Sequence, residues 1–370
     1  MTSPAGEPDN PAVKPLDRQD LDHVLKHTAV LWEALRGRRL FISGGTGFFG
    51  IWLVESFLHA NARLGLGAEA LVLSRDPEVF LKRAPHLAGL PALGFVRGDM
   101  GSFPFPPGEF ACVIHAAAEM GHDTDPLEIF DHNVNGTRRV LAFARQAGVA
   151  RLLMVSSGAV YGRQPPELSL IPEDFAGAPG TTETGTAYAQ SKRISEFLCA
   201  AYAQRHGFIA PVARCFAFIG PRMPFNAHWA VGNFIRDALA GGPIRVRGDG
   251  TPRRSYLYAA DLAIWLWTIL LRGESGRVYN VGAEEDLDIA DLARVVATAV
   301  NPSAVVSVSE RPDPSRAPER YVPATRRARE ELGLEARIPL AEGIRKTAEW
   351  HAHLGNSSPS SGQDCYNPAP

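Results

Sequence analysis

Leu40-Phe41-Ile42-Ser43-Gly44-Gly45-Thr46-Gly47-Phe48-Phe49-Gly50 runs from an apolar segment suited to a buried strand, through a glycine bend, into an apolar-periodic stretch. Gly44, Gly47 and Gly50 recur every third residue. The first permits a tight turn and the third lets the following helix pack closely. The middle one admits an anion to the free N–H groups at the helix start, where the helix dipole favours negative charge. Strand, glycine turn and helix in this order predict a dinucleotide pyrophosphate site, with Thr46, Phe48 and Phe49 completing the loop.

Outward from that turn, short apolar runs alternate with longer amphipathic ones. Strands are expected at 39–43, 69–74, 93–97, 111–115, 151–156 and 208–215, and helices at 48–63, 128–147 and 188–206. The repetition predicts an α/β fold: a Rossmann-type, doubly wound parallel sheet covered on both faces. After Gly220 the chain is broken by Pro221, Pro224, Gly241, Gly242, Pro243 and Gly248-Asp249-Gly250. Helices at 229–240 and 286–299 and strands at 243–247 and 303–309 are expected there. Residues 37–216 with 256–282 are therefore expected to form the dinucleotide-binding domain. Residues 217–255 with 283–350 are expected to form a smaller, interleaved C-terminal substrate lobe. Residues 1–36 read as a disordered start plus an added helix over 16–36 that caps the sheet, and 351–370 as a flexible tail.

The chain has 370 residues, 45% of them hydrophobic, and a formal net charge of -2. That is enough to bury a large core, and the even charge balance speaks against nucleic acid as a partner. Cys112, Cys199, Cys215 and Cys365 show no metal spacing and suit a reducing interior, so no metal is expected. The N-terminus lacks the basic-then-apolar order of a secretory signal, and the longest apolar run, Leu262 to Leu271, is too short to span a bilayer. A cytoplasmic protein without membrane contact is expected.

The second strand ends Leu73-Ser74-Arg75-Asp76. An acidic residue at the tip itself would hold a ribose 2′-hydroxyl; a hydroxyl followed by a guanidinium suits a 2′-phosphate. NADP(H) is accordingly favoured over NAD(H), unless Asp76 turns inward. Asp99, followed by Met100, either reaches the adenine or serves as a turn aspartate. Tyr188 and Lys192 stand one helical turn apart on a predicted helix, and Ser157 follows a predicted strand. An ammonium and a positively charged nicotinamide beside a phenol would lower its pKa from ~10 and make it a usable proton carrier. The serine hydroxyl would hold the substrate oxygen.

These residues, together with Val113-Ile114-His115-Ala116-Ala117, Asn133-Val134-Asn135-Gly136-Thr137, Ser156-Ser157-Gly158-Ala159-Val160-Tyr161-Gly162, Arg214 to Pro221 and Tyr279-Asn280-Val281-Gly282, resemble the extended short-chain dehydrogenase/reductases. The likeness is to the NAD-dependent epimerase/dehydratase group acting on nucleotide sugars, from about Arg39 to Trp350. It implies catalysis by Ser157, Tyr188 and Lys192, with Asn133 supporting the lysine through the helix backbone. It also implies a cofactor cleft lined by Ala116 and Ala117, with Phe216 near the nicotinamide. Asn233, Arg254 and Arg311 match positions that hold the nucleotide diphosphate of the substrate. Glu119 and His122 are placed to supply a further acid or base at the substrate, or to be loop residues. The family often pairs subunits through two helices from each partner, here 128–147 and 188–206, which implies a homodimer.

Departures narrow the chemistry. The 4,6-dehydratases of the group carry an Asp-Glu pair just after the catalytic hydroxyl, and its decarboxylases usually keep the glutamate. Here Gly158 and Ala159 stand there, and neither can move a proton. Ala217 and Ser255 replace an asparagine and an aspartate common in the family, leaving base and sugar open. The expected activity is therefore reduction of a nucleotide-bound 4-keto sugar. C4 epimerisation and an atypical dehydration are the alternatives, and a non-catalytic dinucleotide-binding protein or a reductase of small phenolic or steroidal carbonyls the more remote ones.

Overall fold

The computed structural model describes residues 14–120, 124–225 and 229–352; His122, Cys365 and most of the expected disordered start and tail lie outside them. Six strands follow the glycine-turn register: β1 (Arg39–Ser43), β2 (Glu69–Ser74), β3 (Leu93–Arg97), β4 (Cys112–His115), β5 (Arg151–Ser157) and β6 (Val212–Cys215). The expected 208–215 strand is shortened because Pro211 has no N–H to donate; Ile209 makes only an isolated bridge to Arg151. Helices α1 (Arg18–Thr28), α2 (Phe48–Leu64), α3 (Pro77–Arg83), α4 (Pro126–Gln146) and α5 (Ala187–His206) lie between or before these strands.

Beyond β6 come β7 (Phe218–Ile219), α6 (Ala230–Leu239), β8 (Ile244–Val246), β9 (Arg253–Ser255), β10 (Leu257–Tyr258) and α7 (Ala259–Arg272). The chain then returns to the main sheet as β11 (Val278–Val281) and ends with β12 (Asp286–Asp288), α8 (Ile289–Val300), β13 (Val306–Val308), β14 (Arg320–Tyr321), α9 (Arg326–Leu332) and α10 (Leu340–Ala352). The sheet order is β11-β6-β5-β4-β1-β2-β3, every pair parallel. The order reverses between β1 and β4, and ligands of doubly wound sheets bind at such a switch point.

Strand alternation sends Leu40 and Ile42 to one face with Ile114, Leu153 and Val155, and Phe41 to the other with Val113, Leu152 and Met154. The first face is covered by α2 and α7, the second by α4 and α5. Buried on both sides, the strands are mostly apolar, as is usual for parallel strands, with polar residues chiefly at their ends. The long apolar run sits in α7, whose residues Ala259 to Leu270 are all buried. Among the described residues no helix is long and apolar enough to cross a membrane.

The added N-terminal helix is shorter than the expected 16–36. Thr28 turns its hydroxyl back to the Val24 carbonyl at 2.6 Å and accepts the Trp32 indole N–H at 2.9 Å. The chain then tightens into a 3₁₀ segment over Ala29–Leu35 that buries Leu31, Trp32 and Leu35. Nor does α1 lie on the sheet: it covers α2 and α7, which do. Asp20 at its buried face accepts from Tyr258 Oη at 2.6 Å and Lys346 Nζ at 2.9 Å, and His23 Nε2 lies 3.1 Å from Asp261 Oδ1.

Candidate active site

The glycine turn closes against the strand on the far side of the switch point. Gly44 has φ +77°, and a Cβ there would stand 2.5 Å from the Ala117 nitrogen and 2.6 Å from the Ala116 carbonyl carbon. Backbone therefore touches backbone across β1 and β4, bringing Ala116 and Ala117 to the turn. A Cβ on Gly50 would meet Gly44 O at 2.1 Å, so this glycine seats α2 on the turn itself rather than on the sheet. At Gly47 a Cβ would meet nothing nearer than Gly44 O at 3.5 Å. Gly47 is the N-cap of α2 and supplies no side-chain cap, so the first-turn N–H groups keep their capacity for an anion. Such a turn fits a dinucleotide pyrophosphate. Thr46 is exposed there, and the half-buried Phe48 and Phe49 lead into α2, Phe49 edge-on to Phe218 at 4.9 Å.

At the tip of β2, Ser74 is buried and Arg75 exposed. Asp76 turns away from the cleft: its Oδ1 caps α3 by accepting from Val79 N at 3.1 Å. Asp99 is occupied as a turn aspartate. Its Oδ1 accepts from Gly101 N at 2.8 Å, and its Oδ2 faces His132 Nε2 at 3.6 Å. The side chain of Met100 is sealed against Gly136 of α4, where an added Cβ would meet the methionine Cε at 2.4 Å. Met100 is thus buried against α4.

Ser157 ends β5, and its Oγ accepts from Ala159 N at 3.1 Å. Tyr188 and Lys192 project from one face of α5, the ammonium 5.8 Å from the phenol ring centre. Lys192 Nζ donates to the Val155 carbonyl at 2.9 Å, which holds it beneath the ring and beside β5. The protein alone does not depress the phenol as expected. Burial pushes the Tyr188 phenol up to about 12, opposed only by its hydrogen bond with Ser157. Burial likewise pulls the Lys192 ammonium down to about 8. Asn133 acts one residue away from the lysine: its Nδ2 donates to Ser191 Oγ at 3.0 Å and to Glu119 O at 3.0 Å, while its Oδ1 accepts from Glu119 N at 2.8 Å. It clamps the segment after β4 onto α5.

Groups to which the sequence motifs assign no role complete the centre. Glu196, one turn past Lys192, accepts from Ser156 Oγ at 2.5 Å and from Arg214 Nη2 at 2.6 Å. Arg214 lies 4.6 Å from the centre of the Tyr161 ring, whose hydroxyl donates to Asn280 Oδ1 at 2.8 Å. A charged residue inside the otherwise apolar β6 was the available signal for this pair. Buried His115 joins Ser43 Oγ at 2.7 Å and Thr137 Oγ1 at 3.0 Å, tying β1 and β4 to α4; burial lowers its pKa to about 3. Tyr321 of the lobe stacks on Phe216 with ring centres 4.7 Å apart.

Of the expected substrate contacts, Arg254 comes nearest the centre, its guanidinium carbon 5.8 Å from the Tyr321 ring centre. Neighbouring Arg253 and Arg320 are both paired with Asp286, whereas the carboxylate facing Arg254 is the exposed Glu319 at 3.7 Å. Asn233 on α6 accepts from Arg236 Nη1 at 3.0 Å. Arg311 lies exposed in the segment between β13 and β14 and is not drawn to Tyr188. Among the described residues no cluster has the makings of a metal site.

Residues 40–282 match the NAD dependent epimerase/dehydratase family. UDP-glucuronic acid decarboxylase 5 of Arabidopsis thaliana is 29% identical over 308 residues, 83% of this chain and 87% of that protein. UDP-glucuronic acid decarboxylase 1 of Xenopus tropicalis is 30% identical over 317 residues, 85% of this chain and 72% of that protein. The dTDP-glucose 4,6-dehydratase DesIV of Streptomyces venezuelae, solved with NAD and TYD bound, superposes with a TM-score of 0.69 at 25% identity, covering 85% of this chain and 97% of that one. The UDP-glucose 4-epimerase of Thermus thermophilus in complex with NAD gives 0.69 at 26% identity, covering 86% and 100%.

Proposed function

For a chain that belongs to the NAD dependent epimerase/dehydratase family of extended short-chain dehydrogenase/reductases, we propose reduction of a nucleotide-bound 4-keto sugar at C4. The observation that carries this reading is the pair Gly158-Ala159. A Cβ on Gly158 would stand 2.6 Å from Tyr321 Oη and 2.8 Å from Phe216, so this position cannot take the acidic side chain that elimination of water would use. What remains is proton transfer by Tyr188 at the C4 oxygen, with Ser157 holding that oxygen and Lys192 supporting the phenol. Arg254 and Asn233 would hold the diphosphate, the former by a guanidinium fork. Glu119, whose backbone is held by Asn133, would belong to the substrate side in this reading.

The glycine turn, Ala116, Ala117 and Phe216 would hold the dinucleotide, which when bound supplies or accepts the hydride. NADP(H) is preferred in this reading, because Asp76 is committed to its helix cap while Ser74 and Arg75 occupy the strand tip. A 4-epimerase is the second reading, favoured by the likeness to the Thermus epimerase. Incubation with NADPH and a panel of nucleotide-bound 4-keto sugars should consume NADPH in proportion to product. Isomers formed without net NADPH loss would assign epimerisation instead. NADPH should bind at least about tenfold more tightly than NADH by fluorescence titration, a preference that Arg75→Glu should erase. Equal affinities would overturn the cofactor assignment.

A homodimer through α4 and α5 belongs to the same reading. Leu127 on α4 and Ile194 and Phe197 on α5 are 75%, 39% and 68% exposed, an apolar surface on the two helices expected to pair. Sedimentation at micromolar concentration should give a dimer, and Phe197→Glu a monomer. A monomeric parent protein would remove the dimer from the proposal. A reducing, cytoplasmic setting is also proposed, in keeping with the free, buried Cys112, Cys199 and Cys215.

A further inference from the structure

Two phenols, not one, converge on Ser157. Tyr188 comes from the catalytic helix; Tyr321 comes from β14 in the lobe, paired in parallel with β9 opposite Arg254. Its strand is pinned from outside the lobe. Ile171 N donates to Val322 O at 2.9 Å, and Ala324 N donates to Ile171 O at 2.8 Å. The ring is wedged between Phe216 and the Arg254 guanidinium, and the hydroxyl reaches over Gly158. Glycine at 158 is what makes room for it. Burial and the hydrogen bond with Ser157 are the two main influences on this phenol, the first raising its pKa and the second lowering it.

Counting lone pairs decides what the arrangement does. A serine hydroxyl has one proton to give and two lone pairs. At Ser157 one lone pair is taken by the Ala159 N–H. Until a substrate oxygen takes the serine proton, one lone pair and one proton are left for the two phenols. When Tyr188 is ionised it can only accept, so Ser157 must donate to it, and the remaining lone pair of Ser157 is filled by the Tyr321 hydroxyl. We propose that Tyr321 is a positioning residue that stabilises the Tyr188 phenolate through Ser157, in a chain running Tyr321 to Ser157 to Tyr188. The lobe thereby sets the strength of the base on α5: the strand that carries Tyr321 also lies against Arg254, so seating a diphosphate and completing the relay involve the same element.

This inference rests on the proposed reductase or epimerase chemistry only for its kinetic readout. Tyr321→Phe keeps the ring on Phe216 and removes the hydroxyl. It should lower kcat about ten- to hundredfold with KM changed less than threefold, and move the Tyr188 limb of the pH profile upward by half a unit or more. Ser157→Ala should show the same upward movement, and the double variant should lose no more than Ser157→Ala alone, since both act along one chain. Additive losses, or a Tyr321→Phe profile unshifted from the parent, would overturn the relay. A second readout needs no turnover. Phenolate absorbance titrated in the dinucleotide-loaded protein, with Tyr188→Phe as the subtraction control, should show the same upward shift in Tyr321→Phe. If every candidate sugar is inert but this shift is present, the substrate assignment fails and the relay stands. If turnover occurs and the shift is absent, the relay fails alone.

Discussion

Tyr188→Phe is expected to reduce turnover by about a hundred- to ten-thousandfold while leaving fold and dinucleotide binding intact, because it deletes the proton carrier and nothing else. The ring is retained, and the protein hydrogen bond lost is the one with Ser157. Turnover within tenfold of the parent would assign the acid/base role to another group. Lys192→Met should be as inactive and yet behave differently in stability. Burial lowers this ammonium from 10.5 to about 8, so the folded state holds the charge at a cost. Below pH 8 the lysine is charged in folded and unfolded chains alike, and the full cost is present. Between about 8 and 10.5 the folded lysine is neutral while the unfolded one still carries its proton, so the cost fades as pH rises. Methionine removes the charge altogether, at the expense of one hydrogen bond to the Val155 carbonyl. A net gain of about 1–2 kcal/mol at pH 7, shrinking towards zero or reversing by pH 10–11, is expected from calorimetry. A variant less stable than the parent at pH 7 would show that the Val155 contact outweighs the desolvation. The residue most needed for chemistry would then not be one that the fold tolerates at a loss.

The main sheet was legible because its strands are buried on both faces and its glycine turn has few other uses: β1, β2 and β3 begin and end where the apolar runs do. Lys192 and Tyr188 were legible for the related reason that a helix fixes the direction of residues four apart. The errors lie where tertiary contact overrides local pattern. Thr28 gives its hydroxyl to the preceding turn and the helix tightens, although the apolar spacing continues to Leu35. Asp99 satisfies its own turn, one of the two places the sequence leaves open for it, and Asp76 caps its own helix, in keeping with a strand tip given to Ser74 and Arg75. Tyr321 could not have been found by periodicity. Its strand is two residues long and follows a long exposed polar segment, and only the pairing with β9 and the bridge to Ile171 bring its hydroxyl over Gly158, next to Ser157. The depressed phenol pKa is expected of the ammonium and a positively charged nicotinamide together, and sequence spacing does not reveal that the ammonium is engaged by the Val155 carbonyl.

The three glycines of the turn should separate into two kinds when each is replaced by alanine. At Gly44 the left-handed backbone and the 2.5 Å approach of Ala117 N leave no room for a methyl group, and the obstructing atoms are backbone. At Gly50 the obstruction is Gly44 O at 2.1 Å, again backbone. Neither can be relieved by a rotamer change, so β1, β4 and α2 would have to move apart in the middle of the sheet. Gly44→Ala and Gly50→Ala should each lose about 2–4 kcal/mol, read as a fall in Tm, with dinucleotide binding lost as a consequence. Gly47→Ala should keep its Tm to within about two degrees, because its methyl group would meet only Gly44 O, at an ordinary contact distance of 3.5 Å. Yet Gly47 is the N-cap of α2, next to the first-turn N–H groups to which the pyrophosphate would come at backbone distance. Affinity for the dinucleotide should therefore fall by about tenfold or more in a protein that is otherwise folded. Unchanged affinity in Gly47→Ala would move the phosphates off this turn, and with them the placement of every cofactor contact argued from it.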